Sequence, residues 1–203
     1  MNKRFLVMLV LSLLVIGLLS SCVRPVEDTN TNEPVEIVVN GDFSERILGD
    51  DENVGFEGWF KFTPEGADWN GWASSSATIV NGEAKVVVNN PGSGTWTIQL
   101  AQWLNNIEGG KTYTIKFKAK STAENPALNF VVTARKNDDN NLWIDPPFLA
   151  ESVSLTSDWK DYSYEVEIPS DFDLDSYTVK LGFELGTSPI GEYYFDDVSV
   201  MEK

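Results

Sequence analysis

Beyond residue 36, apolar and polar side chains alternate with a period of two in short runs, and clusters of Gly, Asn, Asp and Pro separate the runs. Runs of this kind fall at 36–39, 77–80, 84–89, 95–102, 111–119, 128–135, 152–155, 159–168, 177–185 and 192–200. The clearest is 111–120, where Tyr113, Ile115, Phe117 and Ala119 share one side and Thr114, Lys116, Lys118 and Lys120 the other. In 159–168, Tyr162, Tyr164, Val166 and Ile168 point one way, with Glu165 and Glu167 opposite. If these two strands are neighbours, their lysines and glutamates pair across a solvated face. No stretch keeps a convincing helical period and no repeat is present. The pattern predicts an all-β fold, a two-sheet antiparallel β-sandwich of jelly-roll type, as one domain over 37–203.

The first residues follow another rule. Lys3 and Arg4 precede an apolar run over 5–19, the layout of a secretory signal, and the run is shorter than the roughly 20 residues a spanning helix needs. It ends in Leu19-Ser20-Ser21-Cys22, which resembles the lipobox of bacterial lipoproteins. Residues 1–21 are therefore expected to be a lipoprotein signal peptide and Cys22, the only cysteine, to carry the lipid. Several acyl chains hold a protein stably on a membrane. The polar stretch 22–36, broken by Pro25 and Pro34, reads as a flexible tether. The expected location is a bacterial membrane, with the protein facing the periplasm or the cell exterior.

Charge narrows the partners. The chain has 15 basic and 31 acidic residues, a net charge of −16, and loses Lys3 and Arg4 with the signal. Such a surface repels phosphate backbones and argues against nucleic acid, while it suits calcium or neutral sugars. With no histidine, Ser-His-Asp triads and Cys-His dyads are excluded, and zinc, copper, haem and iron–sulfur sites lose their usual ligands.

Three blocks carry a resemblance. Val39-Asn40-Gly41-Asp42-Phe43 is followed by Gly58-Trp59; residues 96–102 lead into 110–120; and Tyr194-Phe195-Asp196-Asp197-Val198-Ser199-Val200 closes the chain after a block at 155–160. In this order they resemble carbohydrate-binding module families 4 and 9, jelly-roll modules found attached to glycoside hydrolases. The resemblance implies a structural calcium ion near the chain ends, with Asp42, Glu83 and Asp196 as ligands. Ser44 stands where the family has Glu, which leaves the site weakened, rebuilt by Asp42 or Glu45, or lost. Asp196 and Asp197 equally suit an edge strand that discourages aggregation.

The resemblance also places sugar contacts at Trp96 and Gln99. The alternation sets Gln99 and Ala101 opposite Ile98 and Leu100, Thr133 and Arg135 opposite Val132 and Ala134, and Lys180 and Glu184 opposite Leu181 and Phe183, so these could line one groove. Sugar rings present C–H groups on a face and hydroxyls at the rim, which suits flat aromatics beside amides, carboxylates and guanidinium groups. Trp143 and Phe148, in the loop 137–148, are stacking platforms or pins for that loop; Trp59, Trp69, Trp72, Trp103 and Trp159 are assigned to packing or left open. The expected carbohydrate-binding set is Trp96, Gln99, Arg135, Trp143 and Glu184.

The expected function is non-catalytic binding of a β-glucan- or xylan-like poly- or oligosaccharide at a cell surface. It would support glycan degradation or uptake beside glycoside hydrolases or transporters. Two rivals stand beside it: a small glycoside hydrolase, and a structural or adhesive surface lipoprotein with no sugar ligand. Against hydrolysis, the acidic residues show no spacing that places two carboxylates across a cleft.

Overall fold

In a computed structural model the described residues are 35–44, 48–49, 58–64, 66–138 and 140–203. The signal peptide, Cys22, the tether up to residue 34 and Glu45 lie outside them. The strands are β1 (Leu48–Gly49), β2 (Trp59–Phe62), β3 (Ser74–Val80), β4 (Glu83–Asn90), β5 (Gln99–Leu104), β6 (Thr112–Ser121), β7 (Ala127–Lys136), β8 (Leu149–Ser154), β9 (Lys160–Glu167), β10 (Tyr177–Glu184) and β11 (Gly191–Glu202). One sheet runs β1-β2-β5-β10-β7-β8 and the other β3-β4-β11-β6-β9. Every pairing is antiparallel except the two-residue β1–β2 contact. Few sequence neighbours pair within a sheet, so the chain passes back and forth between the layers, as the jelly-roll reading expected. Among the described residues the only helical pieces are short 3-10 turns, Asp68–Asn70 and Thr95–Thr97.

Alternation places the core. Tyr113, Ile115, Phe117 and Ala119 of β6 are buried, and so are Leu128, Phe130, Val132 and Ala134 of β7. Phe183 of β10 stacks on Phe195 of β11 across the two sheets, ring centroids 4.3 Å apart, and Phe117 approaches both Phe130 and Phe183 at 4.9 Å. Each such pair adds roughly 0.5–1.5 kcal/mol beyond the area it buries. At the β3–β4 hairpin, Asn81 (φ 57°) and Gly82 (φ 81°) form the two-residue loop whose left-handed pair matches the twist of the strands it joins.

Three elements differ from expectation. Residues 36–39 make a single bridge, Glu36 to Met201, instead of a strand. The side chain of Gln102, buried, takes the place of a neighbouring backbone: its Oε1 accepts from the Val39 N–H and its Nε2 donates to the Val39 carbonyl, each at 2.8 Å. Strand β2 was not anticipated, because Trp59 fills the core while Phe60 stacks on Trp103 of the opposite face, which erases the alternation. Residues 95–97 are a turn, and the strand begins at Gln99. β6 and β9 do pair, yet their register sets Lys116 against Ser163 and Lys118 against Asp161. The ion pairs of these strands include Lys118 with Asp197 (2.6 Å), Lys120 with Glu83 (3.5 Å) and Glu165 with Lys203 (2.8 Å).

Burial pushes the Tyr193 hydroxyl up to about 12 while it donates to the Pro189 carbonyl at 2.7 Å. Burial also raises Tyr113, Tyr162 and Tyr164. A folded-state value above the unfolded one, about 10 for tyrosine, means that the neutral hydroxyl favours the fold. That contribution is complete below pH of about 10 and is lost as pH rises from there towards 12. Urea midpoints measured across this window should fall with pH, and less steeply for Tyr193→Phe.

Candidate functional site

The outer face of the β2-β5-β10-β7-β8 sheet forms a groove of about 420 Å³. Its floor is written in cross-strand register. One row runs Phe62–Gln99–Glu184–Asn129. The next runs Phe60–Ala101–Gly182–Val131–Ala150, and a third Trp103–Lys180–Thr133. The middle row carries small residues at Ala101, Gly182 and Ala150, with the Lys180 side chain lying over Gly182, between a polar row and an aromatic, cationic one. Gln99, Thr133, Lys180 and Glu184 share one face, as their period-two opposition to apolar neighbours predicts.

The polar row is bonded in advance. Glu184 Oε2 accepts from Thr95 Oγ1 at 2.6 Å and from Asn129 Nδ2 at 3.2 Å. Gln99 Nε2 donates to the Trp96 carbonyl at 2.7 Å, and Gln99 Oε1 accepts from Lys180 Nζ. These bonds fix side-chain orientation before a ligand arrives, which reduces the entropy lost on binding.

Trp96 stands on the 3-10 turn at one end of the groove, and the turn is clamped by backbone. Gly186 donates to the Thr95 carbonyl and accepts from Gly92, while Thr97 Oγ1 donates to the Gly94 carbonyl at 2.7 Å. A Cβ on Gly186 would lie 2.1 Å from the Gly94 carbonyl oxygen, so only glycine allows this approach. Trp96 remains 44 % exposed.

The other end is built by the loop after β7. It folds back on its own strand: Ile144 donates to Ala134, Lys136 to Leu142, and Trp143 bridges Arg135. Trp143 stacks on Trp103 at 5.9 Å and 18°. The Arg135 guanidinium lies 4.6 Å from the Trp103 ring and 5.7 Å from Trp143, and Lys180 Nζ lies 4.5 Å from Trp143. Trp143 lines the groove; Arg135 is placed behind it, against the indoles, and Phe148 packs edge-on against Phe172 at 4.8 Å.

Trp96, Gln99, Trp143 and Glu184 therefore meet in one groove, with Arg135 supporting its aromatic wall. Phe62 and Asn129 were missed. Asn129 shares the parity of Thr133 and Arg135 and was findable; Phe62 sits on the unanticipated strand.

The residues expected to bind calcium lie elsewhere. Asp42 Oδ1 accepts from the Ser44 N–H at 3.2 Å, a bond that holds its carboxyl below the ordinary range. Glu83 faces Lys120 at 3.5 Å. Burial raises the Asp196 carboxyl, and the charges of Asp197 and Glu83 push the same way. Three acidic side chains do not gather into a metal-holding group among the described residues. The Asp42 carbonyl lies beside Gly82 of the β3–β4 turn, and β11 has a bulge between Asp196 and Ser199.

The structure is a two-sheet jelly roll with an aromatic-walled, polar-floored groove across one sheet, and the comparisons assign it a family. Residues 35–189 match the family model described as "Carbohydrate binding domain" (CBM_4_9), and the chain belongs to that family. A solved CBM4 structure is 34 % identical, with a TM-score of 0.68 over 82 % of this chain and 99 % of its own. Two others share the fold alone. The second N-terminal cellulose-binding domain of Cellulomonas fimi β-1,4-glucanase C is 16 % identical, with a TM-score of 0.53 over 85 % of this chain and 97 % of its own. A Stig cyclase from Fischerella sp. TAU is 13 % identical, with a TM-score of 0.55 over 84 % and 98 %. No curated protein matches the chain.

Proposed function

We propose that this domain binds a neutral β-glucan- or xylan-like chain along the groove, without cleaving it, while a lipid on Cys22 holds it at a bacterial membrane. The observation that carries the reading is the bonded row Gln99–Glu184–Asn129 between Trp96 and Trp143, in a chain of the carbohydrate-binding family. Indole faces suit the C–H faces of sugar rings, and the amide and carboxylate row suits their hydroxyls. Among the described residues lining the groove, Glu184 is the single carboxylate, whereas glycoside hydrolysis uses two that flank the bond. The strongly acidic chain favours an uncharged ligand over an anionic one. Capture of chains at the surface would serve hydrolases or transporters alongside.

Calcium belongs to the same proposal, as a structural ion away from the groove. The residues fit it in part: Glu83 and the half-buried Asp196 would supply carboxylates, and Asp42 its carbonyl, leaving the carboxyl on Ser44. Its chemistry there would be to neutralise acidic groups that otherwise repel.

Calorimetry with β-glucans, xylans, mannans and starch, with calcium and with chelator, tests both parts. Saturable binding to one neutral class is expected; a folded domain that binds none would leave the adhesive reading. Calcium should raise the melting temperature of the wild type but not of Asp196→Asn, and with chelator this variant should melt no lower than the wild type. Equal calcium shifts in both would rule Asp196 out as a ligand.

A further inference from the structure

Among the described residues, the two most exposed tryptophans lie on the turn between β2 and β3. Trp69 is 60 % exposed and Trp72 57 %, and both were assigned to packing or left open by sequence. Its described residues are nonetheless held by a set of hydrogen bonds. Asn70, fully buried, donates through Nδ2 to the Pro64 carbonyl, accepts at Oδ1 from the Trp72 N–H at 2.9 Å and accepts at its own carbonyl from Ser93 at 2.9 Å. Asn90 Nδ2 holds the Trp72 carbonyl at 2.7 Å, and Ser93 Oγ holds that of Trp69 at 2.9 Å.

Trp72 also has φ 61°, a left-handed conformation that bulky residues seldom adopt. Both indoles are left mostly in solvent. Trp69 lies parallel to Trp96, with centroids 5.7 Å apart and an interplanar angle of 13°. Trp96 lines the groove, so the aromatic surface continues from the groove onto the turn without a break. An exposed apolar patch contiguous with a ligand groove marks more of the same interface.

We infer that Trp69 and Trp72 form an outer platform on which a glycan leaving the groove past Trp96 stacks, so that the domain grips a longer segment than the groove alone holds. This rests on the sugar-binding reading above. Indoles carried on a hydrogen-bonded turn add contact at a lower ordering cost than those on an unbraced loop, and the gain appears only for ligands long enough to reach them.

The test compares wild type with Trp69→Ala/Trp72→Ala on a trisaccharide and on progressively longer oligomers of the glucan or xylan series that the domain binds. Wild-type affinity should rise with length. The double variant should bind the trisaccharide as wild type does and lose about tenfold for the longest oligomers, and Trp69→Phe/Trp72→Phe should recover most of that loss. Both side chains are exposed, so thermal unfolding should be little changed. An unchanged length dependence in the double variant overturns the inference. So does an equal loss at every length, which would make Trp69 a prop for Trp96 alone. Absence of binding to any oligomer by the wild type overturns the sugar-binding reading itself, a different result.

Discussion

Trp143→Ala should weaken glycan binding by about tenfold to a hundredfold, the equivalent of losing about 1.5–3 kcal/mol of aromatic burial. Trp143 is the groove wall, and it is also the ring against which Lys180 and Arg135 lie. Removing it takes away a stacking face and lets two cations settle elsewhere, so the remaining wall loses its shape as well as its area. The loop itself should survive, since Ile144 and Leu142 hold it to β7 through backbone bonds. Calorimetry paired with a melting curve separates the two effects. Wild-type affinity in a folded Trp143→Ala variant would place the sugar elsewhere on the sheet.

Phe183→Ala should cost about 3–5 kcal/mol of stability, a large part of the 5–15 kcal/mol that a typical domain has. The ring is fully buried at the junction of the layers, touching Phe195, Phe117, Phe130 and Trp59. A cavity there removes contacts from both sheets at once, and its neighbours Gly182 and Glu184 carry the floor of the groove. Urea unfolding measures the loss. Phe183→Leu, which keeps most of the volume, should lose less than half as much; equal losses would show that packing at this point is not what joins the sheets.

Much of this arrangement was legible. Where one side of a strand meets the core and the other meets water or ligand, as in β5, β7 and β10, parity sorted Gln99, Thr133, Arg135, Lys180 and Glu184 from Leu100, Ala134 and Phe183. Legibility failed where both faces are apolar, as in Trp59–Phe62, because the groove itself is aromatic there. It failed again where a side chain replaces a backbone partner, as Gln102 does for Val39. The turn bearing Trp96 was read as strand, since nothing local reveals that Gly186 approaches from a distant strand to hold it. For Asp42, the resemblance implies a calcium ligand, whereas the direction of its carboxyl depends on the Ser44 N–H, which no pattern in the sequence displays.

The bridge between Glu36 and Met201 brings the two ends of the domain to one place, with Glu36 Oε1 accepting from the Val200 N–H at 2.7 Å. That place is on β11, in the sheet opposite the groove. The first and last described segments of the domain are therefore neighbours in space. A short linker joining Lys203 to the segment at Glu36 would thus suffice for a circular permutation that opens the chain at another loop.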